Sequence, residues 1–158
     1  MAEPSCPPPA TGMVRVLLQL EGLFLLIACL VGYARLQGNW IVFACGFFAG
    51  DLFSVAYVGG NWLGASVYNL SHTLVGPLIV LAIYAVLPSS PIGVAYAGLI
   101  WMAHIGWERS LGYGLRYPEG FLATSITVDQ DPTIYFQKPP AATDTPVASY
   151  RTFQPSAV

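Results

Sequence analysis

Charge is what this chain has least of: Asp, Glu, Lys and Arg make up 9% of its 158 residues, where a soluble protein has about one quarter. Basic residues are scarcest. Six Lys and Arg in a chain of formal net charge -2, scattered along its length, exclude a nucleic-acid surface, which needs clustered cations to follow a phosphate backbone. Cysteine is also rare. Cys6, Cys29 and Cys45 form no CxxC pair, so neither a disulfide framework nor a zinc knuckle is indicated. The last two lie in apolar stretches, where a thiol behaves as a small hydrophobe. No base precedes Arg15 and no small-residue cleavage pattern follows the first apolar run, which therefore reads as a retained anchor and not as a signal peptide.

What fills the space is apolar: 55% of the chain is hydrophobic, the balance of an integral membrane protein. Hydrocarbon about 30 Å thick needs roughly 20 helical residues, and four stretches are long enough, 14–36, 39–59, 62–87 and 91–111. Their separators are short and rich in helix breakers, which makes neighbours antiparallel. The expected fold is all-α, a four-helix up-down-up-down membrane bundle over 14–116, with an extended N-terminal tail at 1–13 and an extended Pro-rich C-terminal tail at 117–158. Gly76 and Pro77 should kink the third span and free the carbonyl of Thr73. Arg15, Arg109 and Arg116 flank one side and only Arg35 the other, which places both termini in the cytoplasm. Trp40, Trp62 and Trp107 stand near span ends, where such rings prefer the interface.

Ionisable residues inside the spans fall at one depth. Counting about 1.5 Å per helical residue, Glu21, Asp51, Asn69, His72 and His104 lie at a similar distance from the cytoplasmic face, with Glu108 and Arg109 at the rim of the same layer. Asn69 and His72 are i, i+3, and His104 and Glu108 are i, i+4, so each pair shares a helix face. A charged group at the bilayer centre costs about 2.5–3.5 kcal/mol on insertion scales, so these side chains should face inward and find partners. Three uses compete: structural pairing across the bundle, a metal site built from His72, His104, Glu21, Asp51 and Glu108, and proton or substrate handling. The metal pattern lacks the Glu-x-x-His of dimetal bundles, with Asn69 where that pattern wants a carboxylate. Gly46, Gly50 and Ser54 recur every fourth residue, a helix-packing signal. Among the tyrosines only Tyr68 stands near the layer. Gly112 and Gly114 end the last helix.

At these residues the chain resembles a family of small bacterial membrane proteins known only as a domain of unknown function. The likeness is carried by Glu21, Asp51, "YNLSH" at 68–72, "AHIGWER" at 103–109 and "LGYGLRYPEGF" at 111–121, and covers roughly residues 14–125. It implies four spans and a polar cluster, and no activity. Two positions depart from the family pattern: Glu108 stands where an Asp is usual, and Thr124-Ser125 where a Thr-His pair is usual, which removes a third histidine.

The resulting expectation is a non-catalytic accessory subunit of a larger, energy-transducing membrane assembly in a bacterial inner membrane. Its helices dock laterally in the lipid bilayer and its tails run over other membrane subunits. The alternating segment "ITVDQDPTIYF" at 126–136 would supply partner contacts through Ile126, Val128, Ile134, Tyr135 and Phe136. The alternative is a small membrane metalloprotein or enzyme using the His and carboxylate residues above. No cofactor is implied beyond a transition metal in that second case.

Overall fold

The computed structural model describes residues 9–118 and 124–126. Five α-helices and one 3₁₀ helix form four rods: α1 (Gly12–Arg35); α2 (Trp40–Phe47) continuing into a 3₁₀ helix (Phe48–Gly59); α3 (Asn61–His72) followed by α4 (Val75–Val86); and α5 (Ile92–Leu111). No strand occurs among the described residues.

Local chemistry explains the joints. Asn39 caps α2, its side-chain oxygen accepting from the backbone of Ile41 at 2.8 Å, which satisfies a donor that a helix start leaves open. Tyr33, fully buried, wedges into this turn: its hydroxyl donates to Asn39 O at 2.8 Å, and its ring packs on Trp40, Phe43 and Tyr96 with centroids 5.0–5.4 Å apart. Tyr96 in turn donates to Leu36 O at 2.8 Å. The α1–α2 turn is thereby tied to the start of α5.

Three rods, Gly12–Arg35, Trp40–Gly59 and Asn61–Val86, are long and apolar enough to cross a membrane. Their outer faces expose side chains such as Phe24, Val58, Leu70 and Val86, apolar surface that lipid would cover. The fourth expected crossing, α5, does not join that set. Its second half carries His104, Glu108 and Arg109, and it is covered by protein instead: eight of its residues are buried, packed against α1, α2, α4 and the 3₁₀ helix. Close approaches give the relative directions. Gly22 meets Arg109 while Gly32 meets Leu99, so α1 and α5 run oppositely; Gly76 meets Trp101 while Gly98 meets Leu81, so α4 and α5 do too. Gly46 meets Ile100 and Gly50 meets His104, so the second rod runs parallel to α5.

Two details differ from the sequence expectation. The second rod is not α-helical throughout: its last twelve residues wind as 3₁₀, a tighter coil that rises about 2.0 Å per residue in place of about 1.5 Å. The third rod does not kink at Gly76–Pro77 but breaks one turn earlier, where Thr73 is extended at φ -83°, ψ 147°. Pro77 accounts for the offset. Its ring clashes with the carbonyl four residues before it, which is that of Thr73, and it has no N–H to offer there.

Beyond α5 the chain turns back. Arg116 and Thr124 form an antiparallel bridge, Ser125 N donates to Leu115 O at 2.8 Å and Ala10 N to Ser125 O at 3.0 Å. Thr124 and Ile126 are buried, at 2% and 5% exposure. The segment assigned to an extended tail from residue 117 includes, at 124–126, residues packed on the body. Ile126, expected on a partner, is packed on its own chain; Val128, Ile134, Tyr135 and Phe136 lie outside the described residues.

Candidate metal centre

The break between α3 and α4 positions the first histidine. It leaves Ser71 O without a helical N–H, and Trp101 Nε1 of α5 donates to it instead. In the last turn of α3, Ser71 Oγ donates to Tyr68 O at 2.9 Å and His72 Nδ1 donates to the same carbonyl at 3.0 Å. Ser71 Oγ also lies 2.8 Å from Nδ1; with the hydroxyl proton given to Tyr68 O, both neighbours of Nδ1 are acceptors, which favours the tautomer with the proton on Nδ1 and a lone pair on Nε2. The Tyr68 ring stacks on that imidazole, centroids 3.8 Å apart and planes 10° off parallel. His72 has little freedom to turn.

His104 comes from the middle of α5, 3% exposed, and brings its Nε2 to 3.2 Å from His72 Nε2. Glu108, one turn further along the same face, places Oε2 3.5 Å from His72 Nε2 and Oε1 3.9 Å from His104 Nε2. Tyr68 donates its hydroxyl to Glu108 Oε2 and so fixes the carboxylate. Asp51, on the 3₁₀ helix, places Oδ1 3.6 Å from His104 Nε2. One donor atom from each of Asp51, His72, His104 and Glu108 lies within 4.8 Å of all the others. Two ligands on a tetrahedral metal, at about 2.0–2.1 Å each, stand about 3.3 Å apart. The His–His, His72–Glu108 and His104–Asp51 separations lie within about 0.3 Å of that edge, and His104–Glu108, at 3.9 Å, is longer.

Other expected members of the layer are placed elsewhere. Asn69 is bound to the backbone of Arg116, its amide donating to Arg116 O at 2.9 Å while its oxygen accepts from Arg116 N at 2.7 Å. Glu21 is not in the donor group. With Arg109 it lines a separate small cavity of about 130 Å³ beside Leu18, Leu115 and Ile126, because Arg109 follows Glu108 by one residue and so points about 100° round the helix, towards α1. Sequence reasoning gave no place in the site to Ser71 or Trp101 and set Arg116 only at the membrane face; the Arg116 guanidinium lies 3.7 Å from the Tyr68 ring centroid. "YNLSH" holds three of the supporting groups, so the motif was the available signal.

The fold and site define the class of small all-helical proteins with three rods long and apolar enough to cross a membrane and an internal His/carboxylate group. The chain belongs to the family described as Domain of unknown function (DUF4260), whose profile matches residues 15–128; the match takes in all four donors and the returning segment at 124–126. No curated protein and no solved structure matches the chain.

Proposed function

We propose that the protein is a multi-span membrane metalloprotein that holds one divalent transition metal ion between His72, His104, Glu108 and Asp51. The observation that carries this reading is the pair of Nε2 atoms 3.2 Å apart, with the lone pair of His72 fixed toward His104 by its Nδ1 bond to Tyr68 O. Ligating histidines characteristically donate their second nitrogen to a carbonyl or carboxylate, which orients the ring. Two imidazoles and two carboxylates suit zinc or iron(II), and a divalent ion offsets two carboxylate charges that lipid cannot solvate. Asp51, half exposed, is the donor best placed to give way to water or a substrate. The opposed directions of α1 and α5, and of α4 and α5, support an up-down-up-down arrangement with α5 as a fourth crossing. The distribution of Arg15, Arg35, Arg109 and Arg116 supports an orientation with both termini on the cytoplasmic side.

Metal analysis of the purified full-length protein tests this. One equivalent of zinc or iron per chain is expected, lost in both His72→Ala and His104→Ala. Protein that is metal-free as isolated and takes up neither ion stoichiometrically overturns the reading.

A second reading, an accessory subunit of a larger membrane assembly, is supported by a different observation. The 3₁₀ helix has no buried residue and carries Asp51 at 50% side-chain exposure, a carboxylate that a neighbouring subunit could cover where lipid would not. Purification in mild detergent followed by native mass measurement distinguishes them: a lone chain with metal favours the first, a stoichiometric membrane partner the second.

A further inference from the structure

The four donors are not held alike. His72 is buried, and its Nδ1 lies between Tyr68 O and Ser71 Oγ. Glu108, its side chain 15% exposed, takes the hydroxyl of Tyr68. His104, also buried, is packed between the Phe47 ring, centroids 5.3 Å apart, and the backbone of Gly50, where an added Cβ would fall 3.1 Å from its Cδ2 and 3.2 Å from its Nε2. Asp51 has no such support. Its side chain is 50% exposed, and the 3₁₀ helix that carries it buries no residue. Among the described residues no hydrogen bond orients its carboxylate, which stands 3.6 Å from His104 Nε2.

Structural metal sites are closed by ligands that all stay in place, whereas sites that do chemistry keep one position exchangeable. Three fixed donors and one loose one describe the second kind. His72, His104 and Glu108 are the two-imidazole, one-carboxylate set that leaves a position open on zinc or iron(II), and because Asp51 is half exposed, the fourth position is the one an outside molecule reaches.

Charge then selects what enters. Two neutral imidazoles and one carboxylate leave a divalent ion with one positive charge uncompensated, and a net charge is costly in surroundings this apolar. Asp51 cancels that charge while it is bound. A neutral ligand that displaced it would leave the ion charged, and a cation would worsen the balance; a monoanion restores it.

We propose that the ion has three permanent ligands, His72, His104 and Glu108, and that its fourth position is an exchangeable site for a monoanionic ligand, with Asp51 as the built-in competitor. The inference rests on the metal reading above and extends it by naming the ligand class and by separating Asp51 from the other three donors.

Azide is the probe, and cobalt(II), whose visible absorption reports its ligands, replaces the native ion in the full-length protein. Asp51→Ala and Asp51→Asn are expected to keep one cobalt per chain, which His72→Ala and His104→Ala lose, and to bind azide about tenfold or more tightly than wild type does. Neutral pyridine should gain less than azide from the same substitutions. If both Asp51 variants lose cobalt as His104→Ala does, the site is a closed four-ligand one and the proposal is overturned. It is equally overturned if both keep cobalt and bind azide no more tightly than wild type, or if pyridine gains as much as azide. In each of these cases wild-type protein still holds cobalt and the metal centre stands; wild-type protein that takes up no cobalt refutes the metal centre itself and this inference with it.

Discussion

The α1–α5 contact can be tested at single-methyl resolution, because three glycines on it make opposite demands. A Cβ at Gly106 would stand 2.8 Å from Leu26 N, 2.9 Å from Gly22 O and 3.2 Å from Leu26 Cα. All three are backbone atoms, which cannot rotate aside, so restoring an ordinary 3.4 Å contact means moving one whole helix off the other. At Gly32, two turns away from Leu26 on the same interface, a Cβ would meet only Leu99 side-chain carbons, at 3.5 and 3.7 Å. Both substitutions gain the same modest helix propensity, about 0.5–1 kcal/mol, so their difference isolates the steric term. Overpacking of a close-packed interior costs about 1–3 kcal/mol, and rigid obstacles put Gly106→Ala near the top of that range. Gly32→Ala should be neutral or slightly stabilising. Unfolding followed by tryptophan fluorescence, as sodium dodecyl sulfate replaces a mild detergent, reads the difference directly. Gly22→Ala should behave like Gly106→Ala, since its Cβ would fall 2.7 Å from Ser110 N. Because α5 carries His104 and Glu108, the displaced helix should also bind metal more weakly. Equal stability of Gly32→Ala and Gly106→Ala would refute the reasoning, since it would mean the two helices are not in backbone contact at Gly106.

Tyr68→Phe keeps the ring that stacks on His72 and removes the hydroxyl that holds Glu108; metal affinity, measured by competition with a chelator, should fall about 10–100-fold, the usual effect of losing a group that orients a ligand. Asn69→Ala removes both bonds to the Arg116 backbone, a loss of about 1–3 kcal/mol, and trypsin should then cut after Arg116 several times faster in the folded protein; an unchanged rate counts against the clamp. Ile126→Ala should lower unfolding stability by about 2–4 kcal/mol as a buried aliphatic side chain is truncated. A chain ending at residue 128 should keep wild-type stability while one ending at residue 120 should not, because Thr124 and Ile126 are packed on the body. If the shorter-tailed chain ending at 128 also copurified with membrane partners in full yield, docking through Ile134, Tyr135 and Phe136 would be wrong.

How much of this could be read from residues alone depends on which coordinate is asked for. In a membrane protein the count of residues from a span end gives depth, since a helix rises by a fixed step, and depth grouped Asp51, His72, His104 and Glu108. It says nothing about direction around the helix. Glu21 and Arg109 share the depth of the cluster yet line another cavity. Asn69 shares a helix face with His72 by spacing, but it is claimed by the backbone of Arg116, and that segment follows the last span and carries no apolar period of its own. The 3₁₀ winding at Phe48–Gly59 was equally hidden, because an apolar run looks the same at three residues per turn as at 3.6.

Pro77 shows the remaining limit and its use. The sequence fixes the residue at which a helix loses a donor, but the break appears at Thr73, where the lost bond and the steric clash fall. That offset puts His72 at a free helix end, with its last turn tied down by Tyr68 O, Ser71 and Trp101. A histidine within an unbroken third rod would have helix on both sides of it, and Ser71 O would take a backbone N–H in place of the indole of α5. The broken rod is therefore part of the site: it frees Ser71 O for the indole of α5, a bond that ties α3 to α5 beside the two imidazoles.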